Sequence, residues 1–97
     1  MIEELIETMT KITLTIINKL GLHARAAAKL ASTCGRFSSD IKIGFDGKTV
    51  DGKSIMSLML LAAAKGSEIE LVVDGRDEQK AVETITQLIS ERFGEHE

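Results

Sequence analysis

Three stretches in which apolar and polar residues alternate constrain the fold of this chain more than any other feature. The apolar residues recur at every second position, which is the period of a β-strand with one buried face. A short fourth stretch follows Asp46-Gly47, a dipeptide that favours a tight hairpin turn. The sequence therefore predicts strands at 11–17, 41–45, 48–50 and 68–74, with the core-facing residues Ile12, Leu14, Ile16, Ile41, Ile43, Phe45, Ile69, Leu71 and Val73.

Apolar residues at helical spacing separate these strands. The first predicted helix covers 24–34, with the side chain of Thr33 facing solvent. Gly35 is expected to end this helix in the left-handed conformation. The second covers 55–62, with Ser54 as its N-cap, and the third follows Asp77, a predicted N-cap, and ends at Gly94. The predicted buried faces of the first and third helices are Ala27, Leu30, Ala31 and Cys34, and Ala81, Val82, Ile85, Leu88, Ile89 and Phe93.

The element order β-α-β-β-α-β-α predicts an α+β domain over residues 11–94. Alternating strands and one-sided helices favour a four-stranded antiparallel sheet with three helices on one face. Ferredoxin-like domains share the order β-α-β-β-α-β, so the pattern leaves the strand arrangement open. Residues 1–10 have the spacing of a short amphipathic helix, and residues 95–97 are predicted to be a disordered tail.

Composition excludes several classes of function. A net charge of −3, three Phe and no Tyr or Trp argue against a nucleic-acid-binding surface. Cys34 is the only cysteine, so an internal disulfide is excluded and no Cys-x-x-Cys metal motif exists. No apolar run is long enough to insert into a membrane, and we expect a cytoplasmic protein. The sequence indicates no metal ligands and no cofactor.

The segment Gly21-Leu22-His23-Ala24-Arg25 lies where the first strand gives way to the first helix. A helix N-terminus carries unpartnered N–H groups and partial positive charge, so it favours an anion. An imidazole there can be a nucleophile beside a phosphate site, and Arg25 can bind phosphate oxygens. A single histidine at a helix start is more often a polar surface residue, so this segment alone does not decide the function.

The second helix is apolar on almost every side. A domain of this size cannot bury all of these side chains, so we expect some of Ile55, Met56, Met59 and Leu60, at least two of them, to reach the surface. Methionine is well suited to adaptable contact surfaces. The sequence therefore predicts an apolar docking surface that begins beside Ser54.

Two motifs together resemble the HPr family, the histidine-containing phosphocarriers of the bacterial phosphoenolpyruvate-dependent sugar phosphotransferase system. They are Gly21-Leu22-His23-Ala24-Arg25 and Lys53-Ser54-Ile55-Met56, and the likeness in spacing and element order extends from about Lys11 to Phe93. The resemblance implies an open-faced β-sandwich with strand order 1-4-2-3. It also implies a monomeric, stoichiometric carrier rather than an enzyme.

The resemblance further assigns roles to individual residues. His23 would accept a phosphoryl group on Nδ1 from phosphorylated Enzyme I and pass it to an Enzyme IIA domain, with Arg25 steadying the phosphate. Ser54 would be phosphorylated by the HPr kinase/phosphorylase. The partner-binding residues would be Leu22, Ile55, Met56 and Met59.

One position departs from the family motif. The family motif usually reads His-Ala-Arg-Pro, and in this chain Ala26 stands in place of the proline. The alanine adds one N–H donor to the first helical turn and is expected to leave the helix intact. Two other functions stay open at this point. One is a regulatory HPr paralogue that does not feed sugar import; the other is a ferredoxin-like metal chaperone or ligand-binding domain, which the missing Cys-x-x-Cys disfavours.

Overall fold

A computed structural model describes residues 9–97, which form one antiparallel sheet and three α-helices. The predicted helical extension lies mostly in residues 1–8, outside the described residues, and Thr10 belongs to the first strand. The elements are β1 Thr10–Thr15, α1 Ala24–Cys34, β2 Asp40–Phe45, β3 Lys48–Asp51, α2 Ile55–Leu61, β4 Glu68–Asp74 and α3 Glu78–Ser90, followed by a 3₁₀ turn at Arg92–Gly94.

The strand order is β1-β4-β2-β3, with every neighbouring pair antiparallel. Leu71 of β4 lies opposite Ile12 on one side and Ile43 on the other. This register places the alternating apolar residues of three strands on one face, as the sequence predicts. The alternating pattern in the sequence left the strand order open, and the observed order is the one that the resemblance to the HPr family implied. The predicted α+β open-faced sandwich is confirmed.

The core lies between that face and the helices. α1 and α3 contribute buried apolar stripes, so both predicted periodicities are confirmed apart from the residues discussed below. The largest fully buried apolar side chains are Phe93, Ile16, Leu30, Ile41, Ile43, Leu58, Ile69, Leu71, Ile85 and Val73. The β2–β3 hairpin turns at Asp46 and Gly47, both with positive φ (54° and 79°), as the dipeptide predicted.

Two predictions about α1 are wrong. Thr33 is buried, 7% exposed, on the side of α1 that shares a groove with Thr84 and Leu88 of α3. Gly35 has φ −65° and is right-handed, since its N–H continues the helical pattern by donating to Ala31. The end of α1 therefore does not require a glycine conformation.

Asp77 occupies the N-cap position of α3, but its side chain does not cap the helix. The Asp77 carboxylate accepts the backbone N–H groups of Ser38 (2.9 Å) and Ser39 (3.0 Å) and the Ser39 hydroxyl. These donors lie just before β2, and together they outcompete the start of the helix for the carboxylate. Asp77 thus ties the β4–α3 turn to the α1–β2 connection.

The C-terminal end also differs from the prediction. α3 ends at Ser90, and Phe93 enters the core from the turn that follows, not from the helical face. Arg92 and Phe93 both have positive φ (57° and 55°), so the chain reverses there. This reversal carries residues 95–97 back over the domain, and Glu95 makes side-chain hydrogen bonds to two distant residues. Residues 95–97 therefore contact distant parts of the domain in this structure.

Candidate functional site

The connection between β1 and α1 is held closely against the residues after α2. Gly21 has φ +66°, and a Cβ atom there would lie 2.5 Å from the Ala63 carbonyl oxygen. The next residue, Leu22, donates its N–H to the same oxygen at 2.9 Å. A positive φ combined with such close backbone contact requires glycine. This contact fixes where the chain enters α1 and so where His23 lies.

His23 is the N-cap residue of α1, with extended backbone angles (φ −75°, ψ 179°). Its carbonyl accepts the first helical hydrogen bond, from Ala27 at 2.8 Å, but its ring does not cap the helix. The N–H groups of Ala24, Arg25 and Ala26 therefore have no partner among the described residues. Three free donors beside an imidazole form a site suited to phosphate oxygens.

A carboxylate holds one edge of the His23 ring. Nε2 lies 2.5 Å from Oε2 of Glu95, and these side chains are 25% and 12% exposed. The other carboxylate oxygen, Oε1, accepts Nδ2 of the fully buried Asn18 at 3.0 Å. Asn18 Nδ2 also donates to the Gly21 carbonyl at 2.9 Å. Nδ1 of His23 has no hydrogen-bond partner within residues 9–97.

The electrostatics of this cluster favour an ionised Glu95. The hydrogen bond from Asn18 holds the Glu95 pKa below its usual value; the bond to His23 and the charges of His23 and Arg25 act in the same direction. Arg25 itself is exposed and borders, with Glu95, a groove of about 330 Å³. Its guanidinium is thus available for a ligand at the start of α1.

Neither Glu95 nor Asn18 was identified as a site residue from the sequence. His23 and Glu95 are 72 positions apart, and no local spacing connects them. An apolar aromatic residue after the third helix, Phe93, was a sequence signal for this contact. A buried aromatic side chain keeps the residues that follow it close to the domain. His96, by contrast, is exposed and borders the groove.

The exposed side chains of α2 form an apolar patch, as the sequence predicted. Ile55, Met56, Met59 and Leu60 are 44%, 68%, 38% and 73% exposed. Leu20, which no sequence pattern singled out, is another exposed apolar residue, and it borders the groove of Arg25. We call the four α2 residues the α2 patch.

Ser54 and Leu22 have different environments. Ser54 is the N-cap of α2, and its Oγ accepts the N–H of Ser57 at 3.2 Å, as predicted. It is partly exposed and adjoins the α2 patch. Leu22 is 4% exposed and packs in the core. Its side chain offers almost no surface to a partner, so we leave it out of the proposed contact surface.

Comparison with known proteins accounts for this arrangement. A family model described as "PTS HPr component phosphorylation site" matches residues 10–91. The chain belongs to the HPr family. The phosphocarrier protein HPr of Cupriavidus necator is 55% identical over 83 residues, covering 86% of this chain and 93% of that relative. HPr of Neisseria meningitidis serogroup A is 52% identical over 89 residues, covering 92% of this chain and all of the relative.

Solved HPr structures have the same fold. HPr-C-His from Thermoanaerobacter tengcongensis superposes with a TM-score of 0.87 at 41% identity, covering 91% of this chain and 99% of that one. HPr from Bacillus anthracis gives 0.81 at 39% identity, covering 84% and 98%. The family match ends at residue 91, so Glu95 lies outside it.

Three further features concern metal binding, membrane spanning and cysteine chemistry. Among residues 9–97, no group of three or more His, Cys, Asp or Glu side chains could hold a metal ion. Within the same residues, no helix has the length and apolar character needed to cross a membrane. Cys34 is buried, and burial raises the pKa of its thiol to about 12, so it is not a nucleophile at neutral pH.

Proposed function

We propose that this protein is a stoichiometric phosphoryl carrier that accepts a phosphoryl group from phosphorylated Enzyme I on Nδ1 of His23 and passes it to an Enzyme IIA domain. The observation that carries the proposal is the start of α1. There an imidazole has one nitrogen engaged by Glu95, while its other nitrogen and three nearby N–H groups have no partner among residues 9–97. The protein is consumed and regenerated in each cycle, so it is a carrier and not an enzyme.

The chemistry needs a nucleophile and a place for the phosphate. A neutral imidazole is nucleophilic at physiological pH, and the phosphoramidate that it forms is reactive enough to be passed on. The free N–H groups of α1 would donate to the phosphoryl oxygens, and Ala26 adds a donor that a proline lacks. Arg25 would supply a charged, forked donor to the same oxygens.

The α2 patch and Ser54 support a regulatory role in the same proposal. Partner proteins would cover Ile55, Met56 and Met59, which are exposed and apolar. Phosphorylation of Ser54 by the HPr kinase/phosphorylase would add about −1.5 to −2 charges beside that surface. A partner that covers the patch would then have to desolvate the phosphate, so docking would weaken while the fold stays intact.

The Ser54 part is tested with three proteins under one salt condition: the natural chain, Ser54→Ala and Ser54→Asp. Ser54→Asp should weaken Enzyme I binding and slow phosphorylation of His23, with little change in melting temperature. Ser54→Ala should keep transfer but lose ATP-dependent phosphorylation by the kinase. Ser32→Asp, an exposed serine on α1, is the matched control for added charge. Equal transfer rates in all of them would show that Ser54 is only a helix cap.

The carrier function itself is tested by a relay. The protein is incubated with phosphoenolpyruvate and Enzyme I, and intact mass reports the gain of one phosphoryl group; a IIA domain is then added. Gain followed by loss of the group to IIA supports the carrier. A protein that is phosphorylated but does not pass the group to sugar IIA domains is the regulatory paralogue. No phosphorylation by Enzyme I would contradict the proposal.

We further propose that the carrier is a monomer and acts in the cytoplasm, with the partners named above. A monomer leaves the α2 patch open to successive partners, which a carrier requires. One related structure is described as an HPr dimer from Thermoanaerobacter tengcongensis, with a TM-score of 0.72, so the oligomeric state can be different in a relative. Sedimentation at several concentrations measures it for this chain; a stable dimer that covers the patch would contradict the monomer.

A further inference from the structure

The C-terminal segment 92–97 is anchored on both sides of Glu95. Phe93 is fully buried, and Lys29 of α1 donates its ammonium group to the Phe93 carbonyl at 2.7 Å. Beyond Glu95, the Lys19 N–H donates to the Glu97 carbonyl at 2.5 Å. The Glu95 carboxylate is therefore held beside His23 by contacts that do not involve His23.

Asn18 fixes the carboxylate from the other side. Its Nδ2 donates to both Gly21 O and Glu95 Oε1, whereas its own Oδ1 is buried without a partner in the described part of the chain. The reverse orientation of the amide would place Oδ1 against two acceptor oxygens. The two acceptor oxygens therefore fix the orientation of the amide. Asn18 is thus a rigid support for Glu95.

The pairing with Glu95 determines where the ring proton lies. A neutral imidazole has one N–H, and an ionised carboxylate can only accept hydrogen bonds. The depressed pKa of Glu95, caused first by the Asn18 bond, keeps it ionised at neutral pH. Nε2 must therefore be the donor to Glu95, and the lone pair that can attack a phosphorus atom lies on Nδ1.

We propose that Glu95 is a positioning residue that holds His23 in the Nε2–H tautomer and so directs phosphoryl transfer to Nδ1, with Asn18 holding Glu95 in place. This rests on the proposed function of His23. In the acceptance step, the Nδ1 lone pair forms the N–P bond while the bond between phosphorus and the donor's leaving atom breaks, and the electron pair leaves with the donor. The proton stays on Nε2, and Glu95 faces the positive charge that the ring gains.

The same contact acts in the reverse direction. When the group is passed on, the Nδ1–P bond breaks and its electron pair returns to Nδ1, so the ring is neutral again with its proton still at Nε2. No proton has to enter or leave the site in either step. The site is complete only with a segment that lies beyond the residues matched by the family.

The test compares Glu95→Gln with Glu97→Gln, a variant of the same segment whose side chain pairs with Lys19 and not with His23. Nitrogen-15 NMR of the unphosphorylated, full-length protein reports the tautomer of each ring, with the exposed His96 as an internal reference. The natural chain and Glu97→Gln should show the proton on Nε2 of His23. A glutamine amide can accept from or donate to Nε2, so in Glu95→Gln the His23 tautomer ratio should shift toward that of His96.

Transfer rates complete the test. Glu95→Gln should slow phosphorylation of His23 by about tenfold, the lower end of the range seen when the carboxylate that orients a metal-bound histidine is removed. Asn18→Ala should shift the tautomer in the same direction, and circular dichroism checks that both variants fold. An unchanged tautomer and rate in a folded Glu95→Gln protein would overturn this inference alone. Phosphorylation that persists in His23→Ala would instead overturn the proposed function.

Discussion

His23 has two kinds of neighbour that act on different atoms. The carboxylate of Glu95 engages Nε2, while the N–H groups at the start of α1 have no partner in the described part of the chain. Arg25 adds charge to this site from an exposed position and makes no ion pair within 4.0 Å among the described residues. At the scale of single residues, Glu95 thus contacts the ring, whereas the α1 N–H groups and Arg25 would bind the phosphate under the proposed function.

Arg25→Ala tests the second of these roles. A charge-assisted hydrogen bond contributes about 1.5–3 kcal/mol, and the exposure of Arg25 lowers that figure. We therefore expect transfer to slow by about tenfold, with the melting temperature nearly unchanged. Arg36→Ala, at the other end of α1, should affect neither quantity. A large loss of thermal stability in the unphosphorylated Arg25→Ala protein would show that Arg25 is structural.

At the scale of elements, α1 was predicted with the correct limits because its information is local. The stripe from Ala27 to Cys34 has helical spacing, and the alternation in β1, β2 and β4 identifies strands in the same way. Thr33 was misplaced because its exposure depends on how α3 packs, which no local spacing contains. Asp77 is at the predicted N-cap position, but its side-chain partners were missed for the same reason, since these donors are 38 and 39 positions away.

A proline pair tests the start of α1. Ala26 is in the first helical turn and its N–H has no helical partner, so Ala26→Pro should keep the helix. Ala28 lies inside the hydrogen-bonded part of the same helix, where Ala28→Pro should cost about 3 kcal/mol. Circular dichroism and thermal melting measure both variants. Loss of helix in Ala26→Pro would contradict the placement of this residue in the first turn.

At the scale of the whole molecule, polar contacts between residues far apart in the sequence connect loops and the C-terminal segment. Glu95 connects the C-terminus to the β1–α1 connection, and Asp77 connects the β4–α3 turn to the residues before β2. The partners of Glu95 are 77 and 72 positions away in the chain, so no local pattern in the sequence indicates these contacts. The same distance explains why half of the candidate site, Glu95 and Asn18, could not be identified before the fold was known.

The Asp77 contact makes part of the stability depend on pH. Hydrogen bonds from the Ser39 side chain and from the Ser38 and Ser39 N–H groups lower the Asp77 pKa from 3.8 to about 2. Because the folded-state pKa is the lower one, the stabilisation is present above pH 3.8 and is lost as the pH falls toward 2. Asp77→Asn should lower the melting temperature at pH 7, and its difference from the natural chain should shrink through that window.

Asp46→Asn is the control for this comparison. Asp46 is exposed in the β2–β3 turn, and asparagine also tolerates its positive φ, so the melting temperature should change little at either pH. A pH-independent difference for Asp77→Asn would contradict the proposed contact.

The most direct test of the central claim is phosphorylation of His23→Ala beside His96→Ala. Both proteins, and the natural chain, are incubated with phosphoenolpyruvate and Enzyme I, and acid-labile phosphate is measured on each. His23 is the only histidine of the two at the start of α1, so His23→Ala should take up no phosphate and His96→Ala should match the natural chain. Acid-labile phosphate on His23→Ala would contradict the account.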